Sequence, residues 1–577
     1  MNKYALIASG LLLSLTLAAQ SNKSVRINQK NDSVVNQQIT MERDFQPVIQ
    51  DAGKIYSTPK MQDQEITRQS AVMYSDYSKL LSTGYNVNQL TFAESRFHAY
   101  NEPYKGFLRA AIGFPMTAAD FYYKMDEMDK VNFDVHFNHL GQWDRFTPNG
   151  AGILARTGFG FDVDVLFGNS AFNIGFDAQN LASKHYYKGS YWDFDAHIGF
   201  HSTPSASAFV YKIQTGYAGV MAKNNTIDSI APIIDIHPSV TDHRIKSVIQ
   251  LEWNGDAHHV GLNSLIIDHF YSTQDTLLPT VNFHSMHFEP YYAYLGNRFD
   301  IHAGVNLDLS LNKGRMFAAS PNVTFEARVV PEWLAIYGGA VGKYDMHDIL
   351  EDVNNNHYIN LFNSVTDTVN TYSLVDGFLG LKFRPHHDLL FKVYAHYIYT
   401  LDDHYYYTTD DHQFYSLYAN SNEWKIGGSI HYHYRDIATL DLDGFYRLHT
   451  INSDLITQTI DRPSWQVQLD LRVKLDKKKQ WTLISENYLI GKRAAAFSTQ
   501  QPSLSVNSQL STFNFQFSTL LKPIIDLNLG VEYAIDRNFA VSLRLNDFIH
   551  WGKFKNEILY SYTSQGANIL AGISWTF

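Results

Sequence analysis

Between Phe299 and Leu311 every second residue is apolar: Phe299, Ile301, Ala303, Val305, Leu307, Leu309 and Leu311, with Asp300, His302, Asn306, Asp308 and Ser310 among the residues between them. Trp465, Val467, Leu469, Leu471, Val473 and Leu475 repeat the pattern against Gln466, Gln468, Asp470, Arg472 and Lys474. It recurs from Ile525 to Ile535 and, on even positions, from Trp424 to Tyr434. A period of two belongs to the β-strand, whose successive side chains point to opposite faces. Segments of about ten such residues suit strands that cross a bilayer, where backbone polar groups must pair within a closed sheet. A soluble β-sandwich alternates as well, so periodicity alone leaves both architectures open.

The connections separate them. Short polar turns recur at Gly168-Asn169, Asn254-Gly255-Asp256, Gly296-Asn297, Pro331-Glu332, Arg435-Asp436, Lys477 to Lys479 and Asp536-Arg537, with longer polar segments in between. Short turns at one end and long loops at the other are the asymmetry of an outer-membrane barrel, whose turns face the periplasm. Counted back from Phe577, strands fall near 567–577, 538–548, 522–535, 481–492, 465–476, 437–449, 423–434, 389–400, 375–384, 333–345 and 321–330. They continue near 298–312, 281–295, 258–271, 243–254, 207–221, 191–201, 171–182, 155–167, 131–140, 118–125 and 106–114. The reading is an all-β fold, a transmembrane antiparallel β-barrel of about 22 strands within a range of 20–24, with both termini periplasmic. The stretch 508–521, where Phe513, Phe515 and Phe517 alternate, is expected to add a hairpin above the membrane or to raise the count.

Composition changes this picture in four places. Lys3, the apolar run from Tyr4 to Leu17 and the small residues Ala18 and Ala19 form a secretory signal pattern, expected over 1–20, with no cysteine for a lipid anchor. No later apolar run reaches the length of a spanning helix, and mean hydropathy is -0.25, which fits a soluble protein as well as a barrel. The 37 Tyr and 37 Phe favour the barrel, which places amphipathic rings in girdles at both membrane interfaces. The absence of cysteine excludes disulfides and thiolate-ligated metals, and the net charge of -11 argues against a nucleic-acid partner.

The last fifty residues carry Asp526-Leu-Asn-Leu-Gly530, Val531-Glu-Tyr533, the turn Asp536-Arg-Asn538, Leu543-Arg-Leu-Asn546, Tyr560-Ser-Tyr562, Gly566 and Ile569-Leu-Ala-Gly572 to Trp575-Thr-Phe577. This end resembles that of TonB-dependent receptor barrels of the Bacteroidetes type. Its terminal Ile569, Ala571, Ile573, Trp575 and Phe577 on one face resemble the signal read by the barrel-assembly machinery, an expected partner during biogenesis. Such receptors carry a plug domain ahead of the barrel, whereas here 21–105 is short for one and is expected to be a periplasmic or lumen-inserted arm before the barrel at 106–577. The arm contains Thr40-Met-Glu-Arg-Asp-Phe45, Pro47-Val-Ile-Gln-Asp51 and Ala52-Gly-Lys-Ile55, which resemble plug-poor relatives of the family. Arg43, Asp44, Pro47, Asp51 and Lys54 mark it as a candidate recruiting motif for a periplasmic partner. The resemblance leaves open whether inner-membrane energy drives the barrel.

Candidate chemistry is sparse. No nucleophile elbow, zinc-protease helix, phosphate loop or dinucleotide motif occurs, so no catalytic residues and no cofactor are expected. Asp402, Asp403 and His404 with Asp410, Asp411 and His412 repeat an acidic pair plus imidazole, expected in an external loop that is either solvated or ligand-binding. Met346 to Asp352 with Asn354 to Asn356 reads as a second acidic loop. Asp441, Asp443 and Arg447 share a face with His431 and His433 of the neighbouring strand, a lumen wall that either selects solutes or satisfies itself. His386-His387 and His258-His259 lie beside turns, and adjacent strand residues point to opposite faces, so neither pair is expected to share a metal. Three functions stay open: a transport barrel for a solute or nutrient, a scaffold docking partner proteins in the lipid bilayer of the outer membrane, and, without a motif behind it, an enzyme at the rim.

Overall fold

The computed structural model describes residues 105–577 except 129, 148–149, 185–186, 203–207, 227–238, 274–279, 357, 362–367, 410–411, 436, 454–459, 461, 499–514, 551–555, 561 and 565. The expected signal and arm, with Arg43, Asp44, Pro47, Asp51 and Lys54, lie outside the described residues, as do Asp410 and Asp411.

Nineteen antiparallel strands follow one another from β1 (Gly106–Phe114) to β19 (Trp481–Ile490), each hydrogen-bonded to the next. The ring continues through β22 (Ile524–Ala534), β23 (Phe539–Asn546) and β26 (Asn568–Thr576), and β26 pairs back onto β1. The barrel therefore has 22 strands and no free edge, the only sheet besides helices that leaves no unpaired backbone in hydrocarbon. The remaining strands stand outside the ring. β20 (Arg493–Ser498) pairs with β21 (Phe515–Leu521), so the described part of the 508–521 stretch pairs outside the ring and leaves the count at 22.

Outward and inward faces differ as the alternation requires. On β14 (Thr371–His386), Leu379 is 57% exposed while Lys382, on the opposite face, is 2% exposed. Exposed aromatic rings ring the short-turn end: Phe167, Phe209, Trp253, Trp333, Tyr434, Trp481 and Trp575. A second set, Trp192, Trp424, Tyr446 and Trp465, lies further along the strands. Trp424 and Tyr434 sit about ten residues apart on β16 (Phe414–Tyr434), the spacing that brackets an apolar band of about 25 Å in tilted strands.

The ends are unequal. At one, connections such as Gly168-Asn169, Pro331-Glu332 and Asp536-Arg537 are tight, with Gly168 in the left-handed region at φ 59°. At the other, long connections run from β13 (Leu334–Asp345) to β14, from β19 to β22, and from β23 to β26. The last holds a small hairpin of β24 (Glu557–Leu559) and β25 (Tyr562–Thr563).

Two segments depart from the expected loops. β15 (Leu389–Thr408) and β16 run well past the bilayer band, so Asp402, Asp403 and His404 lie within a strand. Consecutive Tyr405, Tyr406 and Tyr407 are all buried there, because β20 and the β13–β14 connection cover the strand and two-sided burial replaces alternation by a continuous run. The stretch from Met346 likewise holds a helix, α1 (Ile349–Asn355). Asp348 caps it by accepting from the Glu351 backbone N–H at 2.7 Å.

Candidate functional site at the barrel mouth

The β13–β14 connection folds inward over the mouth. Its Ile349, Val353, Ile359 and Leu361 are almost fully buried in one apolar cluster with residues from opposite parts of the wall. One side is the far ends of β4 (Gly150–Phe167) to β10 (Phe283–Leu295), including Leu154, Tyr191, Val220, Val240 and Phe283. The other is Tyr406 and Phe414 on β15 and β16, with Leu559 and Tyr562 from the β23–β26 connection. Tyr358 stacks on Tyr562 at 3.9 Å between centroids, and Tyr562 donates to the His412 carbonyl at 2.6 Å.

Polar contacts fix the reach of this cap. Arg156 on β4 (Gly150–Phe167) donates to Asn354 at 3.4 Å, and Arg244 on β8 (Ser239–Asn254) lies 3.7 Å from Asp348. β4 stands nine places from β13 in a ring of 22, close to diametrically opposite. At the rim, Lys313 donates to the His347 carbonyl, and Asn360 N–H donates to the Phe414 carbonyl at 2.8 Å. The connection thus crosses the opening.

Below the cap the inward faces carry histidine paired with carboxylate. His136 meets Asp177 at 2.9 Å, His287 meets Asp308 at 2.7 Å and His396 meets Asp376 at 2.9 Å. A cavity of about 210 Å³ near the short-turn end is lined by Asp162, Asp164, His197, His201 and Lys212 among others. Register across several strands makes these pairs, so spacing along the chain carried no signal for them.

The lumen candidates separate into three places. His431 bonds Asp441 at 2.8 Å and lies 3.1 Å from Lys392, while Asp443 faces Ser429 in the register of β16 with β17 (Ala438–Asn452). Arg447 pairs with Glu423 at 2.9 Å higher on the wall, near His449, and His433 is exposed at the short-turn end. The described members of the acidic-imidazole set, Asp402, Asp403, His404 and His412, do not form one loop. Asp403 is engaged by Arg462 at 2.6 Å and by Ser421 at 2.6 Å, whereas Asp402 faces Arg315 at 3.5 Å. Arg462 beside it keeps the buried Asp403 carboxyl below its ordinary value.

At the seam, β26 fits between β23 and β1. Ile573 and Trp575 face outward, and the Phe577 carbonyl accepts from the Lys105 and Gly106 backbone N–H groups at 2.6 and 2.9 Å. Its ring packs on Tyr123 at 5.9 Å and Trp575 at 4.8 Å.

Among the described residues three groups bring metal-ligating atoms together: His347 with Asp352 and His404; Asp242 with His269 and Asp348; and His386 with His387 and Asp388. The third corrects the expectation for His386-His387. His386 is the last residue of β14 and His387 the first of the turn that follows, so both rings reach Asp388, at 3.5 and 2.8 Å. The clue to α1 was present in Asp348-x-x-Glu351 ahead of Val353, a capping pattern before apolar residues, masked by the acidic and Asn-rich composition.

No family model and no curated protein matches the chain. Solved structures do. The siderophore receptor PirA from Acinetobacter baumannii aligns with a TM-score of 0.60 at 8% identity, over 82% of this chain and 80% of that one. A ferric enterobactin receptor (PfeA) mutant from Pseudomonas aeruginosa gives 0.59 at 10% identity over 82% and 80%. The copper transporter OprC gives 0.60 at 12% identity over 82% and 80%. At such identities the likeness is one of fold, and with the closed ring of strands and its outward apolar band it shows a 22-stranded membrane β-barrel built like those of these receptors and this transporter.

Proposed function

We propose that this protein is an outer-membrane transport barrel that takes a solute from the capped mouth into a polar lumen. The observation that carries the reading is the inward-folded connection between β13 and β14, whose described residues cross one end of a wide barrel whose inner wall is lined with histidine and carboxylate pairs. A receptor must exclude free diffusion while offering a ligand polar contacts, and loops on a rigid scaffold are where such contacts are built. The structural relatives named for siderophores and copper support the same reading. Residues 21–105 serve, in this reading, as an arm on the periplasmic side or inside the lumen. Lys392, His431, Asp441 and Asp443 form a polar stretch of the path.

Planar-bilayer recording tests it. The intact protein is expected to conduct little, and removal of residues 349–361 together with 21–100 to open a stable conductance. Silence from both proteins, each shown to be folded by heat-modifiable migration, removes the transport reading. The alternative, a scaffold whose arm docks an envelope protein, gains if cross-linkers placed at Asp44 or Lys54 recover one partner while conductance stays absent.

A further inference from the structure

His347, Asp352 and His404 meet where the cap joins the wall, and one donor atom from each lies within 4.8 Å of the other two. His347 precedes α1 and Asp352 lies inside it, whereas His404 belongs to β15. The hydrogen bonds assign the ring atoms of His347. Thr371 Oγ1 donates its single proton to the Asp402 carbonyl at 2.7 Å, so toward His347 Nε2 at 2.8 Å the same hydroxyl accepts. Nε2 then carries the imidazole proton, and Nδ1 presents its lone pair. His404 is held flat against Tyr418 at 4.9 Å and tilted by 56° to Tyr406 at 4.5 Å, and its Nε2 is shielded from solvent with no hydrogen-bond partner. Asp352 is 2% exposed.

Two imidazole nitrogens and one carboxylate oxygen are the donor set of open tetrahedral sites, with ligands about 2.0–2.2 Å from the ion. Ligand atoms around such an ion stand about 3.2–3.6 Å apart, so a contraction of at most about 1.2–1.6 Å completes the site. The two other groups differ. Arg244 lies 3.8 Å from Asp242 and 3.7 Å from Asp348, so a guanidinium already supplies the positive charge there. His386 and His387 are exposed on a turn.

We propose that His347, Asp352 and His404 bind one divalent transition-metal ion of the Zn²⁺ class, leaving a fourth position for water, and that the ion clamps the cap to β15. Thr371 is a positioning residue that fixes the His347 tautomer. The inference does not rest on the transport reading, and it holds for a scaffold equally.

The test uses full-length protein carrying a tag without histidine, stripped with chelator and titrated with ZnCl₂. About one Zn²⁺ per chain is expected. His404→Ala and Asp352→Asn should lose it, and the His386→Ala/His387→Ala double variant should keep it. Thr371→Val should weaken binding about 10- to 100-fold without changing heat-modifiable migration, as loss of an outer hydrogen bond to a ligating histidine does. No stoichiometric Zn²⁺, retention in His404→Ala, or loss only in the His386/His387 variant overturns the proposal. Should His404→Ala fail to fold, Co²⁺ loading of the unaltered protein decides: intense visible bands of a tetrahedral site support it, and the spectrum of hexaaquo Co²⁺ overturns it.

Discussion

Tyr337 on β13 lies opposite Gly380 on β14, and a Cβ at position 380 would stand 2.3 Å from the phenol ring. The ring lies over the glycine with the Lys382 ammonium 4.9 Å from its centroid. Gly380→Val must displace Tyr337 and is expected to cost about 1–3 kcal/mol, read as a lower urea midpoint in lipid vesicles. Glu486 and Arg544 form a 3.1 Å pair with side chains only 4% and 3% exposed. Arg544→Met leaves that carboxylate with the more distant Arg472 at 3.5 Å and is expected to destabilise by up to about 3–5 kcal/mol. Glu486→Leu with Arg544→Met should recover much of the loss, because the cost lies in the unpaired charge. In the β23–β26 connection, burial raises the Asp547 carboxyl even though His550 bonds to it. A group raised above its unfolded value of about 3.9 favours the fold while protonated, and that contribution disappears as pH climbs through the folded value. Proteolysis of the connection should therefore quicken from about pH 4 upward in the native chain and vary less in Asp547→Asn.

At the scale of elements, strands and cap were unequally legible. Strands with lipid on one side and lumen on the other show a period of two, so Phe299–Leu311 and Trp465–Lys474 stand out in the chain. The far end of β15 does not, because both its faces are covered, and Asp402 to His404 read as a loop for that reason. α1 is only 7 residues long, too short to form alone, and depends on Ile349 and Val353 being buried. Asp348→Ala removes both its N-cap and the pairing with Arg244, at a cost of about 0.5–2 kcal/mol from the cap alone. Val353→Asp places a charge in the apolar cluster. Both are expected to expose the 345–371 connection to protease and to raise bilayer conductance, Val353→Asp more strongly, while the barrel keeps its heat-modifiable migration.

For the whole molecule, closure is decided at one seam. Phe577 carries the backbone bonds that tie Lys105 and Gly106 to the end of the chain, and its ring packs under Trp575. Deleting Phe577 is expected to slow assembly severalfold in a membrane-insertion assay while leaving the final fold intact. The chain has no cysteine, so single cysteines report sidedness cleanly. In whole cells an impermeant maleimide should label Asn354→Cys, or the exposed rim near it, and spare Lys478→Cys, which places the short turns in the periplasm; the opposite pattern inverts the orientation.

The amino-acid order determined the class of fold, because a strand in a bilayer must alternate and pair with neighbours, and both demands are local enough to be read along the chain. It also located the closing strand and the tight turns, where few residues suffice to set the geometry. The cap, the histidine–carboxylate pairs and the meeting of His347 and Asp352 with His404 were decided by tertiary structure. Those contacts join residues far apart in the chain through strand register and an inward-folding connection, and neither leaves a periodic trace.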